Sequence, residues 1–182
     1  AANYAISCDP KASLKRGGWC KPPSGYVKLN VDAAFDWDLL QGAMGAVIRD
    51  DRGHMVVAGN KLIDSCYDVL TVEAMALKFG LNMALTAGCN RLIVNSDNLE
   101  LMEIMNKDGQ YAGDAAAIVD DCYHLACEFS SIVFEFCPRE SNGVAHELAR
   151  IARSSLCNEW LDNAPSELLP LLLKDVSLIT NE

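Results

Sequence analysis

Long apolar runs, paired cysteines and an excess of positive charge are all missing from this 182-residue chain, and each absence removes a class of function. No stretch of eighteen apolar residues occurs. LLPLLL (168–173) is short and interrupted by Pro170, so no membrane-spanning helix is expected. The eight cysteines (Cys8, Cys20, Cys66, Cys89, Cys122, Cys127, Cys137 and Cys157) include no C-x-x-C pair and no histidine at zinc-finger spacing, so zinc is not expected. Several lie in apolar runs and read as small buried thiols in a reducing compartment, nucleus or cytoplasm, rather than as a disulfide framework. The first residues, AANYAISCDPK, carry neither an initiator Met nor an apolar signal core, which reads as a segment of a parent polyprotein and not as a secreted precursor.

Basic residues are scarce where a nucleic-acid binder would want them. The net charge is -10, and residues 1–24 carry Lys11, Lys15, Arg16 and Lys21 against Asp9, which leaves 11 basic and 24 acidic groups in the other 158 residues. A body of that sign repels a phosphate backbone at long range. Nucleic-acid contact must then be local, metal-assisted or helped by the basic tail.

What is present is enough for one domain: 51% of residues are hydrophobic. Residues 1–25, ending in GGWCKPPSG, lack periodicity and read as a linker pinned through Trp19. The domain is expected over 26–156, with 157–182 as an extension that packs Trp160 and its leucines on the body as a short helix or turn. YVKLNVDAAF alternates as a strand, with Lys28, Asn30 and Asp32 on its polar side. GAMGAVIRD (42–50) and HMVVAGNKLI (54–63) flank the turn Asp51-Arg52-Gly53, giving three antiparallel strands. Residues 69–88 switch to helical period and stop at Gly88. RLIVNS (91–96) is apolar enough for a central parallel strand, helices follow over 98–106 and 114–129, SSIVFEFCP (130–138) is a fifth strand, and 141–155 is a helix capped by Ser141 or Asn142. The expected fold is α/β, with a five-stranded mixed sheet in the order 3-2-1-4-5 and helices on both faces.

Three carboxylates fall where such a sheet gathers ligands. Asp32 lies on the first strand, Asp97 closes the fourth, and Glu73 sits on the first helix beside Leu77 and Leu81. Each has a plain structural reading: Asp32 as a strand solubiliser, Ser96 or Asp97 as the cap of the following helix, Glu73 as the partner of Lys28 or Arg49. Together they make a hard oxygen set for one or two Mg²⁺ ions, and two ions about 3.5–4 Å apart suit phosphodiester hydrolysis.

YVKLNVDAAF, TVEAMAL, LIVNSDN and RESNGVAHELAR, in this order, resemble the RNase H domain of the reverse-transcriptase-like plant type, a family that includes ribonuclease H proper and the RNase H regions of plant non-LTR retroelements. The match runs from about Trp19 to Leu173. The resemblance implies an RNase H-like fold that cuts the RNA strand of RNA-DNA hybrids with Mg²⁺ or Mn²⁺. It implies Asp32, Glu73 and Asp97 as metal-binding and catalytic carboxylates, and Asn98, Arg139 and Asn142 as substrate contacts. Where ribonuclease H proper has a fourth carboxylate, in a context like N-x-x-A-D-x-L-A, this chain has His146. His146 is expected to tune catalysis, or else to be a helix-surface histidine near Asn142 and Arg150. A basic helical extension found in some relatives is missing, that region reading KDGQYAGDAA. A catalytically weak, domesticated domain that binds nucleic acid or protein is the competing reading. A 3′-5′ exonuclease of the same superfamily would want a second acid at position 34, which is Ala.

Overall fold

A computed structural model describes residues 18–66, 68–108, 110–154 and 158–180. The strands are β1 (Val27–Asp36), β2 (Gln41–Arg49), β3 (Met55–Ile63), β4 (Arg91–Ser96), β5 (Ser131–Phe136) and β6 (Asn158–Leu161). The helices are α1 (Val69–Thr86), α2 (Leu99–Asn106), α3 (Ala116–Ala126), α4 (Gly143–Ala152) and α5 (Leu169–Thr180), with one-turn 3-10 helices at Arg139–Ser141 and Ser166–Leu168. The sheet order is β5-β4-β1-β2-β3-β6. β1, β2 and β3 pair antiparallel, while β4 pairs parallel with β1 and with β5.

Five of these strands take the expected order, but the sheet has six. β6 pairs antiparallel with β3, Ala58 opposite Trp160, in a segment expected to be a helix or turn. NEWL is too short for its alternation to register, and pairing with the open edge of β3 decides its conformation. Helix ends also shift inward by up to three residues, because end turns form no periodic face. α1 ends as expected: Gly88 has φ 74°, its N–H bonds Leu85 O, and Cys89 N–H bonds Ala84 O.

Alternation along β1 divides the molecule. Leu29 and Val31 join Met44, Ala46, Ile48, Leu77, Leu81 and Val94 in the larger core beneath α1, α2 and α3. The opposite face packs Val47, Ala58, Val144, Leu148 and Leu168 beneath α4 and the C-terminal segment. α1 has the length and apolarity of a membrane span, but it carries Glu73 and Lys78 and most of it is buried on the sheet as a core helix.

Two glycines set how closely the helices approach. A Cβ on Gly80 of α1 would lie 2.8 Å from Val31 Cγ1. One on Gly45 of β2 would lie 2.3 Å from the Ala145 carbonyl and 2.5 Å from the Ala149 nitrogen. Gly45 is the register partner of Asp32, so α4 lies against β2 beside that carboxylate. The missing side chain is what lets the next residue of α4, His146, reach the site.

Candidate active site

Asp32 is 4% exposed and points to the α4 face of β1. Its Oδ2 lies 2.7 Å from His146 Nδ1. Arg139 Nη2 lies 3.1 Å from the other ring nitrogen, Nε2. A guanidinium only donates, so the tautomer that satisfies both neighbours has Nδ1–H donating to Asp32 and Nε2 accepting from Arg139. Asp97 follows β4 directly, and its Oδ1 accepts from Asn142 Nδ2 at 3.0 Å.

Glu73, on the second turn of α1, is 6% exposed. Neither Lys28 nor Arg49 pairs with it: Lys28 Nζ donates to the Cys20 carbonyl at 2.8 Å, and Arg49 binds Asp175. Glu73 Oε2 is buried without a hydrogen-bond partner. Burial, reinforced by the charges of Asp32 and Asp97, raises its pKa to about 9. Burial and then the charge of Asp97 raise Asp32 to about 6, against the opposing hydrogen bond from His146. The Cys137 thiol, at the end of β5, is pushed up to about 12 by burial and then by the charge of Asp97. Three carboxylates from three elements therefore share one electrostatic environment.

Their donor chemistry fits a hard divalent cation. A buried, unpartnered carboxylate oxygen beside two further carboxylates is what such a cation would satisfy. Among the described residues, though, no three such side chains close into a ligand cage. Asp32 Oδ2 is engaged by His146 Nδ1, and burial favours the protonated form of Glu73. Asp32, Glu73 and Asp97 are the residues that would hold the metal.

The family model described as reverse transcriptase-like matches residues 30–152, which includes Asp32, Glu73, Asp97 and His146. The chain belongs to that family. Among solved structures, it is similar to the N-terminal RNase H domain of Rv2228c from Mycobacterium tuberculosis, solved as a fusion with maltose binding protein: TM-score 0.66, 22% identity, covering 71% of this chain and 94% of that one. RNase H1 from the halophilic archaeon Halobacterium salinarum NRC-1 gives a TM-score of 0.65 at 21% identity, over 71% of this chain and 98% of that one. LC11-RNase H1, solved in complex with RNA/DNA hybrid, gives 0.63 at 20%, over 69% and 95%. At these identities the likeness is one of fold. No curated protein sequence matches the chain.

On this reverse transcriptase-like frame the expected substrate contacts divide. Arg139 is exposed and beside His146, where a ligand can reach it. Asn98 caps α2, its Oδ1 accepting from Leu101 N at 2.9 Å, the role that Ser96 or Asp97 was expected to fill. Asn142 is 1% exposed and stands at the N-cap of α4 as expected, its carbonyl accepting from His146 N, but its side chain makes no capping bond. Its amide donates to Val31 O and Asp97 and accepts from Asn30 Nδ2 at 3.1 Å, so none of it faces solvent. Asn30 is the neighbour that sequence reasoning missed as part of the site. Alternation places it on the face of Asp32, but only the fold brings it to Asn142, 112 residues away.

Proposed function

We infer that this chain hydrolyses the RNA strand of RNA-DNA hybrids with Mg²⁺ or Mn²⁺, through two ions. The observation that carries this reading is the buried, unpartnered Glu73 oxygen in the shared environment of Asp32 and Asp97. A structural carboxylate would be paired; one held ready for a cation need not be. Divalent cations bound there supply the positive charge that phosphodiester hydrolysis needs on attacking and leaving oxygens. The three acids hold and orient them. His146 presents Nε2 at the rim, where it can exchange a proton once Arg139 turns to a phosphate, and Arg139 is the one of the three expected contacts free to do so. Selection of the RNA strand falls to 2′-hydroxyl contacts in the minor groove.

The test is incubation of the full chain with labelled RNA-DNA hybrid, duplex DNA and duplex RNA in Mg²⁺, Mn²⁺ or EDTA. Hybrid alone should be cut, and only with metal. The His146–Asp32 hydrogen bond favours a second reading, a domesticated retroelement-type domain that binds without cutting, since it occupies one of the ligand carboxylates. Hybrid binding without cleavage in either metal would replace the first reading with the second.

A further inference from the structure

The polar interior beside the carboxylates forms a chain with one direction. Trp19 Nε1 donates to Asn30 Oδ1 at 3.0 Å, and Arg49 Nη2 approaches the same oxygen at 3.4 Å. Asn30 Nδ2 donates to Asn142 Oδ1 at 3.1 Å, and Asn142 Nδ2 donates to Asp97 Oδ1 at 3.0 Å. Indole and guanidinium nitrogens only donate, and an ionised carboxylate only accepts. Both ends therefore fix both amides, and neither can flip without setting like against like. Asn30 and Asn142 are 0% and 1% exposed, so no water competes for these bonds.

We propose that Asn30 is a positioning residue for Asp97: held by Trp19 and Arg49, it locks the Asn142 amide in the one orientation that donates to the Asp97 carboxylate. The proposal rests on the metal-dependent reading above in one respect, that Asp97 is a ligand. Asn142 is then no substrate contact but the link between the two. Because Trp19 lies before β1 and Arg49 ends β2, the aim of Asp97 depends on the N-terminal segment being docked.

Asn30→Asp tests this with almost no change of shape. It keeps the acceptor for Trp19 and Arg49 but sets a carboxylate oxygen against Asn142 Oδ1, so Asn142 must flip away from Asp97 or sit frustrated. In the metal-free full chain, the side-chain amide resonances of Asn142 should move and lose protection from exchange. By calorimetry, Mn²⁺ affinity should fall about 10- to 100-fold, the cost of losing a partner that orients a ligand. Field effects alone predict the opposite sign, since an added carboxylate attracts cations. Asn142→Ser should cause the same loss, and the double variant no more, because the two amides act in series.

Unchanged Asn142 resonances, or equal or tighter Mn²⁺ binding in Asn30→Asp, overturn the proposal. If Asn30→Asp does not fold, Asn142→Ser decides it: undiminished Mn²⁺ affinity at unchanged melting temperature overturns it. Should the wild-type chain bind no Mn²⁺ and leave hybrid uncut, the functional reading fails separately, and the metal-free amide spectrum alone judges the chain of bonds.

Discussion

Two buried polar clusters treat charge in opposite ways. Around Arg49, charge is matched: its Nη1 lies 2.6 Å from Asp175 Oδ2 on α5, and its guanidinium stacks 3.7 Å from the centre of the Trp19 ring. Each cluster has one buried atom without a hydrogen-bond partner, Arg49 Nε and Glu73 Oε2, but around Glu73 like charges converge with no counter-charge. The first cluster fastens the N-terminal segment and α5 to β2. The second gathers repelling acids that only a cation would reconcile. Matched burial marks structure, and unmatched burial marks a site that awaits something.

The largest effect expected from breaking this contrast is on cleavage. Asp32→Asn should reduce hydrolysis of labelled hybrid by about a thousandfold, about 4 kcal/mol of activation free energy. The same variant should melt at higher temperature in EDTA, since it removes one of the repelling charges. Cleavage within threefold of wild type would put the catalytic centre elsewhere.

Next in size is the pH dependence of stability without metal. The Glu73 carboxyl keeps its proton in the fold up to about pH 9, whereas in the unfolded chain it ionises near its ordinary 4.5. Stability should therefore be full below that lower value and fall as pH rises through the interval, by up to about 1.4 kcal/mol per pH unit. Asp32, raised to about 6, adds a decline in the same direction over the shorter interval between about 4 and 6, and so a smaller total. Urea titrations in EDTA at pH 5, 7 and 8.5 should reveal the decline, and Glu73→Gln should flatten it. An equally steep decline in Glu73→Gln would assign the pH dependence to other groups.

The matched cluster should fail by the opposite route. Arg49→Met leaves Asp175 buried without its partner and should cost about 3 kcal/mol of unfolding free energy, measured by the same titrations. A loss below about 1 kcal/mol would mean that the pair scarcely contributes.

The smallest effect expected is at His146. His146→Ala should lower kcat for hybrid by about tenfold, about 1.4 kcal/mol, because the three acids remain. His146→Asp should preserve or raise cleavage and tighten Mn²⁺ binding by adding a hard oxygen ligand. If His146→Ala leaves kcat and its pH profile unchanged, His146 is a bystander.

The parts of this architecture that depend on local pattern were legible in the sequence. Alternation in YVKLNVDAAF placed Asp32, Asn30 and Lys28 on one face, and the helical stripe of α1 set Glu73 beside Leu77 and Leu81. The order of the first five strands followed from their lengths and connections. What stayed hidden were side-chain partners far apart in sequence: Arg49 with Asp175, 126 residues on, and Asn30 with Asn142. Periodicity says which way a residue points and nothing about what it meets. Asn98 carries two readings for a related reason, since the same short amide serves a ligand or a helix cap; its Oδ1 fills the cap, accepting from Leu101 N.

β6 carries a consequence for how copies of this chain behave in company. A strand at a sheet margin offers a row of free backbone N–H and C=O groups, a template on which another molecule can continue the sheet. The four residues Asn158–Leu161 occupy that template along β3, leaving β5 as the margin at the other side. β5 is six residues long and interrupts its apolar run with Glu135. A chain trimmed before Asn158 would keep every candidate catalytic side chain and yet uncover the apolar flank of β3. It should self-associate in concentration-dependent fashion on size-exclusion chromatography while the intact chain does not, which makes a short, sequence-inconspicuous strand a guard of solubility.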